Sequence, residues 1–186
     1  MKSQQTINYQ SVLRAIGQGL ETLEVKWVDL EVSDGQFIVS GQGETHTTVE
    51  SKSNIRKAFL SLVFSRSDKK TRRSKPFHFS GIIFAPTDIE FLEWKGSLLQ
   101  TDHESCPPNP HKLSQILRTV GYYLDRDACS LRKFSWRNGV LTLWRTNERG
   151  VESKEILSPE ALYDHWVHQY KKRKPTSRLQ RTGNDR

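Results

Sequence analysis

The chain has 186 residues, 34% of them hydrophobic, with five Trp, five Tyr and eight Phe, enough for one packed domain or two small halves sharing a core. No run approaches the roughly 18 apolar residues of a membrane span, and the start, MKSQQTINYQSV, lacks the apolar centre of a signal peptide. Two cysteines, Cys106 and Cys129, make no disulfide framework, so the expected setting is cytoplasmic, without a membrane partner.

The net charge of +8 is held in two blocks. Arg66 to Lys75 (RSDKKTRRSK) has six basic residues and one Asp, and Lys171 to Arg186 has seven and one. Together they exceed the chain's total, so the remainder is slightly acidic. Basic blocks of this kind touch nucleic acid or another polyanion, or only solubilise the chain.

In chain order, Tyr9, Val12, Leu13, Ile16 and Leu20 have the spacing of an amphipathic helix, with Thr6 or Asn8 as its cap. Leu23–Val32 and Gln36–Ser40 read as strands around Ser33-Asp34-Gly35, a hairpin signal. A change of parity near Val28 and Asp29 predicts a bulge or a twist. Gln42-Gly43-Glu44 reads as a turn and Thr45–Glu50 as a third strand. Ser53–Phe64 fits a helix or a buried strand. Phe77–Ala85 and Ile89–Lys95 read as a hairpin over Pro86-Thr87-Asp88, and Leu98–Pro110 as a linker. A second helix carries Leu113, Ile116, Leu117, Val120 and Leu124. Strands follow at Cys129–Trp136, Val140–Arg145 and Val151–Leu157, the first two joined at Asn138-Gly139. Ser158-Pro159-Glu160 opens a last helix. Thr176–Arg186 is expected to be disordered.

Ser11–Gly41 and Gln115–Arg145 align without a gap at an offset of 104. Leu13/Leu117, Arg14/Arg118, Gly17/Gly121, Leu20/Leu124 and Gly35/Gly139 coincide. VESK also recurs, at Val49–Lys52 and Val151–Lys154. The expected fold is therefore α+β, internally duplicated: helix–antiparallel-strands–helix units forming a two-layer domain. Residues 1–100 form the first repeat with an extra hairpin and the basic loop 66–75. A linker spans 101–110, the second repeat 111–174, and a basic tail 175–186.

Few groupings suggest chemistry. Glu93 and Lys95 would share a strand face, with Asp88 nearby, and such a set could hold Mg²⁺ and position a water. Over Pro86–Lys95 this resembles the active site of the PD-(D/E)xK nuclease superfamily, which implies a metal-dependent nuclease. The same E-x-K pattern recurs at Glu50/Lys52 and Glu152/Lys154, and a solvated strand face with cross-strand ion pairs accounts for it. His103, Cys106, His111 and Cys129 match no standard zinc spacing, and His165 and His168 fit a polar helix face. No phosphate loop, dinucleotide fingerprint or Ser-His-Asp order is present, so neither metal nor cofactor is expected.

Cations beside aromatics remain: the first block runs into Phe77, His78 and Phe79, and Trp166 and Tyr170 precede KKRK. The leading expectation is a non-enzymatic protein that binds nucleic acid, DNA or RNA. Its phosphate contacts would be Arg66, Lys69, Lys70, Arg72, Arg73, Lys75, Lys171, Lys172, Arg173 and Lys174. The alternative is an interaction subunit that docks an acidic protein partner, with a Mg²⁺-dependent nuclease the third possibility.

Overall fold

The computed structural model describes residues 7–45, 75–99 and 112–158, with 160, 161 and 164. Among these residues nine elements have both ends described, in order: α1 (Tyr9–Thr22), β1 (Val25–Ser33), β2 (Gln36–Thr45), β3 (Lys75–Phe84), α2 (Pro86–Leu98), α3 (Leu113–Arg126), β4 (Ser130–Arg137), β5 (Val140–Thr146) and β6 (Glu152–Leu157). The strands form one antiparallel sheet, ordered β3-β2-β1-β4-β5-β6. The fold is α+β. Among the described residues no helix is long and apolar enough to cross a membrane.

The apolar periodicity of α1 buries Val12, Leu13, Ile16 and Leu20, and that of α3 buries Ile116, Leu117, Val120 and Leu124. These side chains join Val28, Leu30, Phe37, Val39, Phe84, Phe134, Leu141 and Leu143 of the sheet in one core. Burying each large side chain contributes about 1.5–3 kcal/mol. Both hairpins close on two residues of positive φ: Asp34 (50°) and Gly35 (72°), then Asn138 (50°) and Gly139 (78°). Those values match the right-handed twist of the flanking strands.

The spacing of 104 residues recurs in the geometry. Leu30 lies opposite Phe134, and the β1–β4 ladder runs outward from that pair through Val28/Trp136. Glu24 and Ala128, just after α1 and α3, have φ of 47° and 48°. The two helices cap each other. Asp125 accepts from the N–H of Tyr9 (2.9 Å) and of Gln10 (2.8 Å), and Glu21 accepts from the Ser114 N–H (3.2 Å) and hydroxyl (2.6 Å). Each carboxylate satisfies unpaired N–H groups at the positive end of the other helix.

Three expectations are corrected. Gln42-Gly43-Glu44 is no turn: β2 runs on to Thr45. Gly41 lets the ring of Phe79 close on the strand, where a Cβ would stand 2.6 Å from its tip. Ile89–Lys95 is not a strand but part of α2. Pro86 holds the first turn and the Asp88 carboxylate accepts from the Ala85 N–H at 2.9 Å, so Pro-Thr-Asp is a helix start rather than a hairpin turn. The β1 bulge falls between Val25 and Trp27, so Val28 shares the core face with Leu30 while Trp27 faces away. The helix at Ser53–Phe64 and the third strand beyond Thr45 lie outside the described residues; the strand beside β2 is β3. Ser158 caps the last helix as expected, its hydroxyl accepting from the Ala161 N–H at 3.2 Å.

Candidate nucleic-acid interface

Side chains alternate across a sheet, so burying Leu30, Phe134, Leu141 and Leu143 directs their neighbours to the opposite, outer face. The register joins those neighbours into rows that cross the sheet. One row reads Ile83, Ile38, Glu31, Lys133, Trp144, Lys154. The next contains Ser40, Asp29, Ser135, Thr142 and Ile156. Trp144 is half-buried on the face where β5 also places Val140, Thr142 and Thr146. Ile83 is 49% exposed and Ile156 63%.

Cations gather on the two indoles of this face. Lys133 stands 5.8 Å and Lys154 5.1 Å from the centre of the Trp144 ring. The Arg137 guanidinium lies 4.3 Å over Trp27, whose indole N–H donates to Gln42 Oε1 at 3.0 Å. Contacts of this kind contribute about 0.5–1 kcal/mol at exposed sites. Two cations also meet acids of β1: Lys133 pairs with Glu31 and Arg137 with Asp29. Burial pushes the Asp29 carboxyl up. Hydrogen bonds from Arg137 and Ser135 and the charges of Arg137 and Lys133 outweigh that, and hold it below the ordinary carboxylate range. Lys154 meets no carboxylate among the described residues. Arg132 donates to Thr146 Oγ1 at 3.1 Å and stands 3.9 Å from Glu152, with both charged side chains exposed. That pair is worth little in water.

Of the basic residues expected to bind, Lys75 is the first residue of β3, opposite Thr45. Arg66, Lys69, Lys70, Arg72, Arg73, Lys171, Lys172, Arg173 and Lys174 lie outside the described residues. The face shared by Glu93 and Lys95 is absent. Two residues apart on a helix, they point about 200° from each other. Glu93 is half-buried at the surface, whereas Lys95 is 1% exposed, its amine pushed down to about 8 by burial. Asp88 is occupied in starting the helix. Among the described residues no three His, Cys, Asp or Glu side chains gather as a metal site would require.

Sequence reading missed Trp27, Lys133, Arg137, Trp144 and Lys154. The one signal was a tryptophan on the polar parity of VLTLWRT, after Leu141 and Leu143 had taken the core parity. The outer face thus offers indole rings, ammonium and guanidinium groups, and hydroxyls of Ser40, Ser135, Thr142 and Thr146. Such a surface can take a planar, anionic polymer by stacking, charge and hydrogen bonding together. Comparison with family models, with curated proteins and with solved structures finds no match for the chain.

Proposed function

We propose that the chain is a non-enzymatic nucleic-acid-binding protein, built as an internally duplicated two-layer domain. The first unit is α1, β1, β2, β3 and α2. The second is α3, β4, β5, β6 and the helix that Ser158 caps. The spacing of 104 in ladder, turns and mutual caps supports the duplication. So does the position of the third strands: Phe37 pairs with Phe84 and Leu141 with Leu157, and each outer residue stands two before a proline, Pro86 and Pro159. In this alignment β3 and α2, read from sequence as an extra hairpin, are the true partners of β6 and the last helix.

The observation that carries the binding reading is the Lys133–Trp144–Lys154 row on the outer face. Cations recognise phosphates without regard to sequence, and aromatic side chains stack on bases. Arg66, Lys69, Lys70, Arg72, Arg73, Lys75 and Lys171–Lys174 would add phosphate contacts from flanking segments. The test is a titration of the full chain with duplex DNA, single-stranded DNA and RNA at several salt concentrations. Binding should weaken steeply with salt. Changing Lys69, Lys70, Arg72, Arg73 and Lys75 to Gln should flatten the slope of log K against log salt by about 0.7–0.9 for each phosphate no longer neutralised. No binding to any nucleic acid at about 50 mM salt, where such contacts are strong, would overturn the reading. Binding to an acidic polypeptide alone would then favour the protein-partner alternative.

A further inference from the structure

We infer that the nucleic acid is single-stranded and that one segment of it lies across β4, β5 and β6, with a base stacked on Trp144. This rests on the nucleic-acid reading above and names the ligand's class and seat.

The first ground is chemical. An indole on a sheet face offers a flat π surface, and only unpaired bases present a matching one, since duplex bases hide their faces in the stack. Thr142 and Thr146 stand on either side of Trp144 along the same face of β5, so hydroxyls are at hand for base edges or sugars. Lys133 and Lys154 reach over the ring from the neighbouring strands, 5.8 and 5.1 Å from its centre; a stacking base takes their place there, and the two ammonium groups move out to the phosphates on either side of it.

The second ground is the contrast between the halves. At the 104-residue spacing, Ser40 stands where Trp144 does and Asp29 where Lys133 does. In the ladder Asp29 faces Ser40, as Lys133 faces Trp144. On the other side Ser40 accepts from the Gly81 N–H at 3.0 Å, whereas Trp144 has Lys154. The first half therefore has an acid, a hydroxyl and a glycine in place of a cation, an indole and a cation. Asp29 and Glu31 along β1 bound the basic region. A phosphate backbone approaching them would have to compete with their carboxylates for Arg137 and Lys133, which they already hold. The favourable path runs over β4–β6, where Lys154 meets no carboxylate among the described residues and Arg132 is only loosely paired. One chain should thus bind one strand, not the two that equal halves would take.

The experiment is fluorescence anisotropy of the full chain with a labelled oligothymidylate of about 15 nucleotides, and with a duplex of the same length, at one fixed salt. The native chain should bind the single strand more tightly, one oligonucleotide per chain. Trp144→Ala should weaken single-strand binding about 5- to 100-fold, while Trp94→Ala, which removes a half-exposed indole on α2, should leave it unchanged. Lys154 is exposed on an edge strand, so Lys154→Gln gives a variant independent of packing. It should lower the salt slope for the single strand by about 0.7. Native affinity in both Trp144→Ala and Lys154→Gln, with binding abolished when the 66–75 cations are neutralised, would overturn this inference and leave the nucleic-acid reading standing. Equal weakening for duplex and single strand would overturn the choice of a single strand. Failure of the native chain to bind either would remove both readings.

Discussion

Lys95 is a cation that sequence placed in solvent and the fold places in the interior, 1% exposed. Burial lowers its amine from near 10.5 to about 8, so the folded chain releases the proton before the unfolded chain does. Stability should accordingly rise as pH climbs from about 8 to about 10.5, and be insensitive to this group below 8. Lys95→Met should abolish that rise, measured as the urea midpoint against pH. A native midpoint flat across the window, or a rise that persists in the Met variant, would contradict this. Trp144 is the opposite case, an apolar residue on a solvent face. Both exceptions misled a reading based on hydrophobic pattern, and the second is the centre of the candidate site.

At the scale of elements, glycines set how closely the helices approach. A Cβ on Gly121 would lie 2.5 Å from the Tyr9 carbonyl oxygen, and one on Gly17 2.6 Å from the Cα of Ser114. A Cβ on Gly96 of α2 would be 1.8 Å from the Ser11 carbonyl oxygen, and the Gly96 carbonyl accepts from buried Arg14 at 3.2 Å. These neighbours are backbone and cannot swing aside. Gly121→Ala should cost about 1–3 kcal/mol in chemical denaturation, despite alanine's better helix propensity; a neutral or stabilising result would mean that the helices do not cross there. Helices α1 and α3 and both hairpins were legible because apolar period and Asp-Gly or Asn-Gly turns act locally. Helix α2 was not. Its inward face mixes Asp88 and Lys95 with Ile89 and Leu92, and its outward face carries Trp94 and Leu98, so the apolar periodicity that marks an amphipathic helix cancels.

Across the whole molecule, the gap-free match of Ser11–Gly41 with Gln115–Arg145 was readable in sequence, and the matching hairpin registers and mutual caps support the duplication it suggested. The candidate interface was not readable in the same way. Lys133 and Lys154 become neighbours of Trp144 only through strand register, and Glu31 meets Lys133 across a pairing of residues about 100 positions apart. Composition led to the expectation of a polyanion held by the basic segments, where charge is dense in sequence; apart from Lys75 those residues lie outside the described ones.

The most direct measurement of where nucleic acid binds is photo-crosslinking of the full chain to a single strand carrying 5-bromouracil, followed by mapping of the modified peptides. Adducts are expected on the β5 peptide that contains Trp144, at lower yield on those from β4 and β6, and to disappear as salt is raised. Adducts confined to α2 around Trp94, or none while the strand is bound, would contradict binding on the outer face of β4–β6.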